Sequence, residues 1–148
     1  MGKFEDFSFF VLDPNNSSNE VAEPLPSDET PFVVAFVKLK DVDKGDKIWL
    51  NGVLRIDDEN NSGGHADINV RIFRGNPSTG EEIYFSALEA ENDENAASST
   101  LQIPVSHVDV IPDENDDENV KYTLTVDTDT PNINLTGPIT FTAVRIKH

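Results

Sequence analysis

The sequence predicts an all-β fold, an antiparallel Greek-key sandwich, jelly-roll-like, of seven or eight strands with an N-terminal extension arm. Two observations carry this prediction. Apolar runs rich in Val, Ile, Thr and Phe recur along the chain, and polar turn-forming segments separate them. Within the runs, apolar and polar residues alternate, and almost no segment shows the period of a helix. Short strands separated by turns are typical of sandwiches and jelly rolls.

The first element is a short apolar strand, residues 7–12, which is followed by a segment unsuited to regular structure. Residues 13–31 combine several Pro with Asn, Ser and acidic residues, and this composition disfavours helices and strand ladders. We therefore divide the chain into an N-terminal arm with its linker, residues 1–31, and a β-sandwich domain, residues 32–148.

From residue 32 onward, seven further apolar runs are predicted to be strands, and most show one apolar face. Residues 86–99 are acidic on all sides and cannot bury an apolar stripe, so we predict a loop there. The predicted strands are residues 32–40, 47–57, 66–74, 82–90, 100–110, 120–127 and 138–146.

The charge of the chain limits its partners. The 148 residues carry a formal net charge of -17, which repels nucleic-acid phosphates and anionic lipid headgroups, so we expect neither nucleic acid nor membrane as a partner. The N-terminus lacks the basic region and long apolar core of a secretory signal. The chain is then cytoplasmic, or reaches a surface without a standard leader, or has lost one.

No catalytic signature is present. The patterns GxSxG, HExxH, GxxxxGK[ST] and GxGxxG are absent, and the chain has no Cys. Ser106, His107 and Asp109 are close in sequence, but neighbours on a strand point to opposite faces, so Ser106 and His107 point apart. We expect no enzyme, no catalytic residue and no required cofactor.

The acidic loops are the most conspicuous feature, and carboxylates are the ligands that Ca²⁺ prefers. Such loops also keep a surface solvated and discourage pairing at strand edges, which is the alternative interpretation. Residues 41–46, DVDKGD, resemble the start of an EF-hand loop but depart from it at the fifth and twelfth positions. The candidate ligands are Asp41, Asp43 and Asp46, and separately Asp113, Asp116 and Asp117.

A second candidate ligand site is the single Trp. Trp49 is predicted to lie on the strand face opposite Ile48 and Leu50. An exposed indole can serve as a platform for a sugar ring, and an aromatic side chain at a protein contact fits the same position.

The apolar arm is the strongest candidate for an interaction site, because an exposed apolar strand lowers solubility unless it is docked. Two arrangements of the arm are consistent with the sequence. The arm can complete its own sandwich as an eighth strand, or it can add to the sheet edge of a neighbouring subunit. The predicted docking residues are Phe7, Phe9, Phe10, Val11 and Leu12.

Four segments of the C-terminal half resemble a known family: VRIFRG at residues 70–75, SHVDV at 106–110, KYTLTV at 121–126 and GPITFTAVRI at 137–146. Their order and content are similar to those of the small exosporium proteins of Bacillus-type endospores, in particular the exosporium protein C type. The resemblance covers about residues 32–148 and is strongest after residue 70.

The resemblance implies a β-sandwich of spore outer layers or surface appendages, made in the mother cell and deposited without a signal peptide. Endospore appendage subunits polymerise through N-terminal arms. This chain has an arm but no Cys for crosslinks, so noncovalent strand donation would have to hold a fibre. We expect an extracellular structural protein whose partners are copies of itself and other surface-layer proteins. The alternatives are a monomeric module for Ca²⁺ or carbohydrate, and an interaction domain of a phage tail or secretion system.

Overall fold

The computed structural model describes residues 3–11, 23–60, 64–92, 99–114 and 118–147. These residues form nine strands, one of which has only two residues, and they contain no helix. Within these ranges nothing forms a helix long and apolar enough to cross a membrane. The strands are β1 (Lys3–Val11), β2 (Glu23–Pro24), β3 (Phe32–Leu39), β4 (Lys47–Asp58), β5 (Gly64–Arg74), β6 (Glu81–Asn92), β7 (Ser99–Val110), β8 (Val120–Thr128) and β9 (Ile133–Lys147).

The strands form two antiparallel sheets. Sheet A has the order β1-β9-β4-β7, with β2 also paired to β9, and sheet B has the order β3-β8-β5-β6. The pairs β1 with β9, β3 with β8, β4 with β7 and β5 with β6 are nested along the chain, as in one long hairpin folded over itself. This is the arrangement of a jelly roll, and it confirms the predicted fold class.

Alternation along the strands builds the core. Ile48, Leu50, Leu54 and Ile56 point inward from β4 and are fully buried, whereas Trp49 between them is exposed. Sheet B contributes inward-facing residues in the same way from β5 and β8, and Phe141 of β9 is fully buried between the sheets. The two inner faces form one continuous apolar cluster.

The structure differs from the sequence prediction in several strand bounds. β1 begins at Lys3 rather than at residue 7, and β5 begins at Gly64 rather than at residue 66. β6 continues to Asn92, through a segment that was predicted to be a loop because of its acidic residues. Ala90 is buried while Glu89 and Glu91 point to solvent, so the segment alternates after all. β9 begins at Ile133 rather than at residue 138, and Ile133 is buried in the core.

Two strands that precede the predicted boundary between residues 31 and 32 pair with a strand of the sandwich domain. β1 pairs along β9 and β2 pairs with it at Glu23 and Pro24. Leu25 is buried and its N–H donates to the carbonyl of Ile133 at 2.9 Å. Part of the Pro-rich segment therefore forms ladder bonds at the sheet edge, where a residue without an N–H is tolerated.

Candidate interaction surfaces

The arm strand β1 lies at the edge of sheet A along β9 of its own chain. Its Cα partners run from Lys3 with Lys147 to Val11 with Thr140. Ser8 Oγ accepts a hydrogen bond of 3.4 Å from the backbone N–H of Lys38 in β3, so β1 also touches the edge of sheet B. β1 thereby closes one side of the sandwich.

The predicted docking residues map onto this strand. The backbones of Phe7, Phe9, Phe10 and Val11 pair with β9, and Leu12 lies outside the described residues. The structure thus places the arm as an additional strand of its own sandwich, one of the two arrangements left open by the sequence. Docking of the arm on a neighbouring subunit stays a prediction.

The outer face of sheet A carries an exposed apolar patch around Trp49, which is 45% exposed. Its cross-strand partners are Val108 on one side and Val144 on the other. Val110, 52% exposed, continues the patch. Asn51 and Ser106 supply polar groups beside the ring, and the indole Nε1 lies 3.5 Å from Ser106 Oγ. The predicted position of Trp49 opposite Ile48 and Leu50 agrees with this placement.

The outer face of sheet B carries a second exposed patch, built from aromatic rings covered by cations. Phe36 is 48% exposed, and the Nζ atoms of Lys38 and Lys121 lie 5.6 Å and 4.8 Å from its ring centroid. Phe85 is 52% exposed, and the guanidinium of Arg71 lies 4.7 Å from its centroid. Such cation–π contacts cover part of an apolar surface without removing it from solvent.

Arg71 is held in place by carboxylates, whereas the two lysines are not. Arg71 bonds to buried Asp127 at 3.0 Å and to Glu82 at 2.7 Å, and the bond to Glu82 raises the pKa of the guanidinium. Lys38 and Lys121 are direct cross-strand partners. Among the described residues, neither has a carboxylate within ion-pair distance, so two like charges stand side by side on β3 and β8.

The aspartates of the loop between β3 and β4 make contacts within the protein. Asp46 is fully buried, accepts the N–H of Asp43 at 2.9 Å and lies 3.9 Å from Arg145 Nη1. Asp41 offers its backbone carbonyl to Arg145, and the Asp43 carboxylate faces Lys147 at 4.0 Å. The predicted Ca²⁺ ligands Asp41, Asp43 and Asp46 thus lie in the turn beside β9, and Ca²⁺ binding there stays a prediction.

The second predicted set of Ca²⁺ ligands is only partly described. Asp113 is exposed, and Asp116 and Asp117 lie outside the described residues.

Among the described residues, one group of three metal-ligating side chains brings its ligand atoms within 4.8 Å of one another, namely His65, Asp67 and Glu89. His65 Nε2 lies 3.9 Å from Asp67 and 4.0 Å from Glu89. All three are exposed on β5 and β6. This group was not predicted from the sequence, because the strand was predicted to begin at residue 66, and His65 was therefore left off the face that it shares with Asp67.

This group borders a cleft of about 410 Å³ on the outer face of sheet B, and the cleft is strongly acidic. Four carboxylates line it, and His65 lies beside two of them, those of Asp67 and Glu89. The carboxylates belong to Glu29, Asp67, Glu89 and Asp129.

A buried polar cluster joins the two sheets at the opposite end. Asp109 of β7 accepts two hydrogen bonds from Arg74 of β5, at 2.8 and 2.5 Å, and one of 2.7 Å from the hydroxyl of Tyr122 in β8. Burial and the neighbouring Asp109 carboxylate raise the pKa of Tyr122 above its ordinary range. The Asp109 hydrogen bonds raise the pKa of Arg74 as well. This cluster joins the two sheets; Asp109 and Tyr122 are buried, and Arg74 is 15% exposed and reaches the exposed Glu81.

No protein-family model matches the chain, and no curated protein matches it in sequence. Among solved structures, one titled "CBM4 structure and function" matches with a TM-score of 0.32 and 11% identity, over 99% of this chain and 78% of that chain. A likeness at this level does not indicate a ligand for this chain.

Proposed function

We propose that this chain is a structural subunit that self-assembles, by exchange of β1 between copies, into a filament or outer layer of a cell or spore surface. The observation that carries the proposal is the arm: β1 completes the edge of β9, yet it is joined to the rest of the chain by a connection longer than that pairing requires. It is not an enzyme under this proposal, and its main partners are copies of itself.

The length of the connection follows from the register. Val11 pairs with Thr140 and Glu23 pairs with Leu135. These partners on β9 are separated by about 17 Å, at about 3.4 Å per residue. The twelve steps from residue 11 to residue 23 reach up to about 40 Å when extended. The same strand can therefore reach the β9 edge of an adjacent copy.

β1 makes the same backbone hydrogen bonds to β9 whether it pairs within its own chain or with a neighbouring copy. The local protein concentration therefore decides which of the two pairings forms. A linker of this length between two contacts holds its strand at an effective concentration on the order of mM. Copies in dilute solution keep β1 on their own β9. Copies packed in a layer reach comparable local concentrations, and strand donation then links one copy to the next.

The exposed apolar patches on both outer faces support an assembling subunit. Trp49 on sheet A and Phe36 and Phe85 on sheet B are each close to half exposed. Contiguous apolar surface of this kind marks contact sites more often than free surface. The resemblance of residues 70–146 to spore outer-layer proteins points in the same direction and supports the proposed location on a spore or cell surface.

A second candidate function rests on Trp49 alone: a carbohydrate module in which the exposed indole stacks on a sugar ring while Asn51 and Ser106 hydrogen-bond its hydroxyls. Titration with oligosaccharides, followed by the fluorescence of this single Trp, tests it. Saturable quenching that is lost in Asn51→Ala would favour the carbohydrate module.

Sedimentation and negative-stain electron microscopy of the full chain, from about 1 µM to about 2 mM, test the proposed assembly. We expect monomers at the dilute end and larger species or fibres at the concentrated end. A synthetic peptide of residues 1–13, added in excess, should occupy free β9 edges and shorten the assemblies, whereas a scrambled peptide should not. A monomer at every concentration would rule out the proposal.

A further inference from the structure

The cations of this chain are gathered at one end of the sandwich. We call this the lysine end, where β3 meets β4, β5 meets β6 and β7 meets β8. The remaining two cations, Arg55 and Arg71, lie along the strands. Nine of the 11 Lys and Arg lie at or beside the lysine end: Lys3, Lys38, Lys40, Lys44, Lys47, Arg74, Lys121, Arg145 and Lys147.

The opposite end, where β4 meets β5, β6 meets β7 and β8 meets β9, is the acidic end. No Lys or Arg among the described residues lies beyond Arg55 and Arg71 toward it. The lysine end carries charges of both signs, and at least nine described carboxylates match its nine cations in number: Asp41, Asp43, Asp46, Glu81, Glu82, Asp109, Asp113, Glu114 and Glu118. Two acidic ends repel each other, and only the lysine end offers cations to an acidic end.

Each end carries a cluster of like charges that are not fully neutralised within a single copy. Both clusters lie on the outer side of sheet B. At the lysine end, Lys38, Lys40 and Lys121 line a cleft of about 260 Å³. Lys38 and Lys121 have no carboxylate partner among the described residues, and Lys121 Nζ donates a hydrogen bond of 2.8 Å to the neutral amide oxygen of Asn76. At the acidic end, four carboxylates line the cleft of about 410 Å³, and two of them, those of Asp67 and Glu89, lie within about 4 Å of His65. Each cluster holds like charges close together, which costs free energy until an opposite charge arrives.

We propose that copies of this chain stack end to end, with Lys38 and Lys121 of one copy against Asp67 and Glu89 of the next. The proposal rests on the self-assembly proposed above and names the contact that orients it. Because the two contacting surfaces differ, the contact is heterologous and extends into an open filament rather than a closed dimer.

The arm fits the same stack. Thr140, the partner of Val11, is seven residues from Lys147 on β9, which places it about 24 Å from the lysine end at about 3.4 Å per residue. The tether leaves its own copy at Glu23, which pairs near the acidic end. Leu135, the partner of Glu23, is two residues, or about 7 Å, from the start of β9 at the acidic end, so a fully extended tether of about 40 Å reaches Thr140 of the stacked copy when the space between copies is below about 9 Å. The charge contact and the strand exchange therefore require the same order of copies.

Charge exchange in the full chain tests the contact, with sedimentation at about 0.15 M salt, where charges are screened beyond about 8 Å. One variant is Lys38→Glu with Lys121→Glu, a second is Asp67→Lys with Glu89→Lys, and a third combines all four changes. The matched control for the first is Lys44→Glu with Lys47→Glu, which makes the same change in net charge at the lysine end but on the side of sheet A. Circular dichroism checks the fold of each variant.

We expect each double reversal to raise the concentration needed for assembly by at least about tenfold, and the fourfold variant to return close to the wild-type value. The control should stay within about threefold of wild type. Recovery in the fourfold variant cannot arise from a misfolded chain, so the result does not depend on how stable each double variant is.

Three outcomes would overturn the contact. If wild type assembles and the double reversals assemble equally well, the contact is wrong while self-assembly stands; if wild type stays monomeric throughout, both fail. Dissolution of the assemblies by EDTA alone would also overturn it, because the acidic cleft would then hold a metal ion rather than lysine.

Discussion

Replacement of Asp109 by Ala should strongly destabilise the fold without any effect on the outer surfaces. Asp109 is 6% exposed and accepts three hydrogen bonds, two from Arg74 and one from Tyr122. Its removal leaves a guanidinium that is 15% exposed beside an unpaired phenol. Removing one partner of a buried ion pair costs about 3–5 kcal/mol. Arg74 keeps its bond to the exposed Glu81, so we expect a loss near 3 kcal/mol.

Equilibrium unfolding in urea, extrapolated to water, measures this loss directly. Two matched variants provide reference values for this loss in the free energy of unfolding. Tyr122→Phe removes one of the three hydrogen bonds and should cost about 1 kcal/mol. Glu81→Ala breaks the exposed arm of the same network and should cost less than about 1 kcal/mol. If Asp109→Ala proves no more costly than Glu81→Ala, the cluster does not bind the two sheets together as argued.

Three further predictions concern pH, packing and the outer faces. Because the pKa of Tyr122 is raised in the folded chain, its phenol stays protonated while the unfolded chain ionises. The protonated phenol of Tyr122 contributes its full stabilisation below about pH 10, and this contribution decreases as the pH rises further. Above about pH 10, the free energy of unfolding of wild type should therefore fall by about 1.4 kcal/mol per pH unit relative to that of Tyr122→Phe. Parallel pH profiles of the two proteins in urea unfolding would contradict this. Gly52→Ala places a Cβ 2.7 Å from the carbonyl oxygen of Thr140 and should lower the free energy of unfolding by about 1–3 kcal/mol; an unchanged urea midpoint would show that β9 shifts freely. Trp49→Ala should change the melting temperature little, because the ring is about half exposed, yet weaken self-association in sedimentation; equal assembly would remove the sheet A patch from the interface.

The strands were predicted correctly from the sequence where apolar and polar residues alternate without interruption. β4 and β8 show a clear period of two, and their bounds agree with the prediction to within one residue. β6 was cut short because Glu89 and Glu91 dominate its composition, although the inward positions Leu88 and Ala90 keep the period. The acidic composition gave the wrong prediction there, because the solvent-facing side of a strand can carry any number of charged residues.

The sites were harder to predict than the strands, because they depend on partners that are distant in the chain. Asp109 meets Arg74 and Tyr122 only when β5, β7 and β8 converge at one end. Lys38 and Lys121 become neighbours only through the β3–β8 register. The exposed position of Trp49 was predicted, because it depends on local alternation alone.

A cysteine trap between β1 and β9 tests the central claim of strand exchange most directly. The chain contains no Cys, and Ser8 and Ala143 are Cα partners. Antiparallel partners lie about 4.5–5.5 Å apart between Cα atoms, which suits a disulfide. In Ser8→Cys with Ala143→Cys, oxidation at about 10 µM should lock β1 within its own chain. That chain should run as a monomer on a non-reducing gel and fail to assemble when concentrated. Oxidation at about 2 mM should instead give a ladder of crosslinked chains. Intrachain crosslinks at both concentrations, with assembly of the locked chain, would contradict exchange of β1.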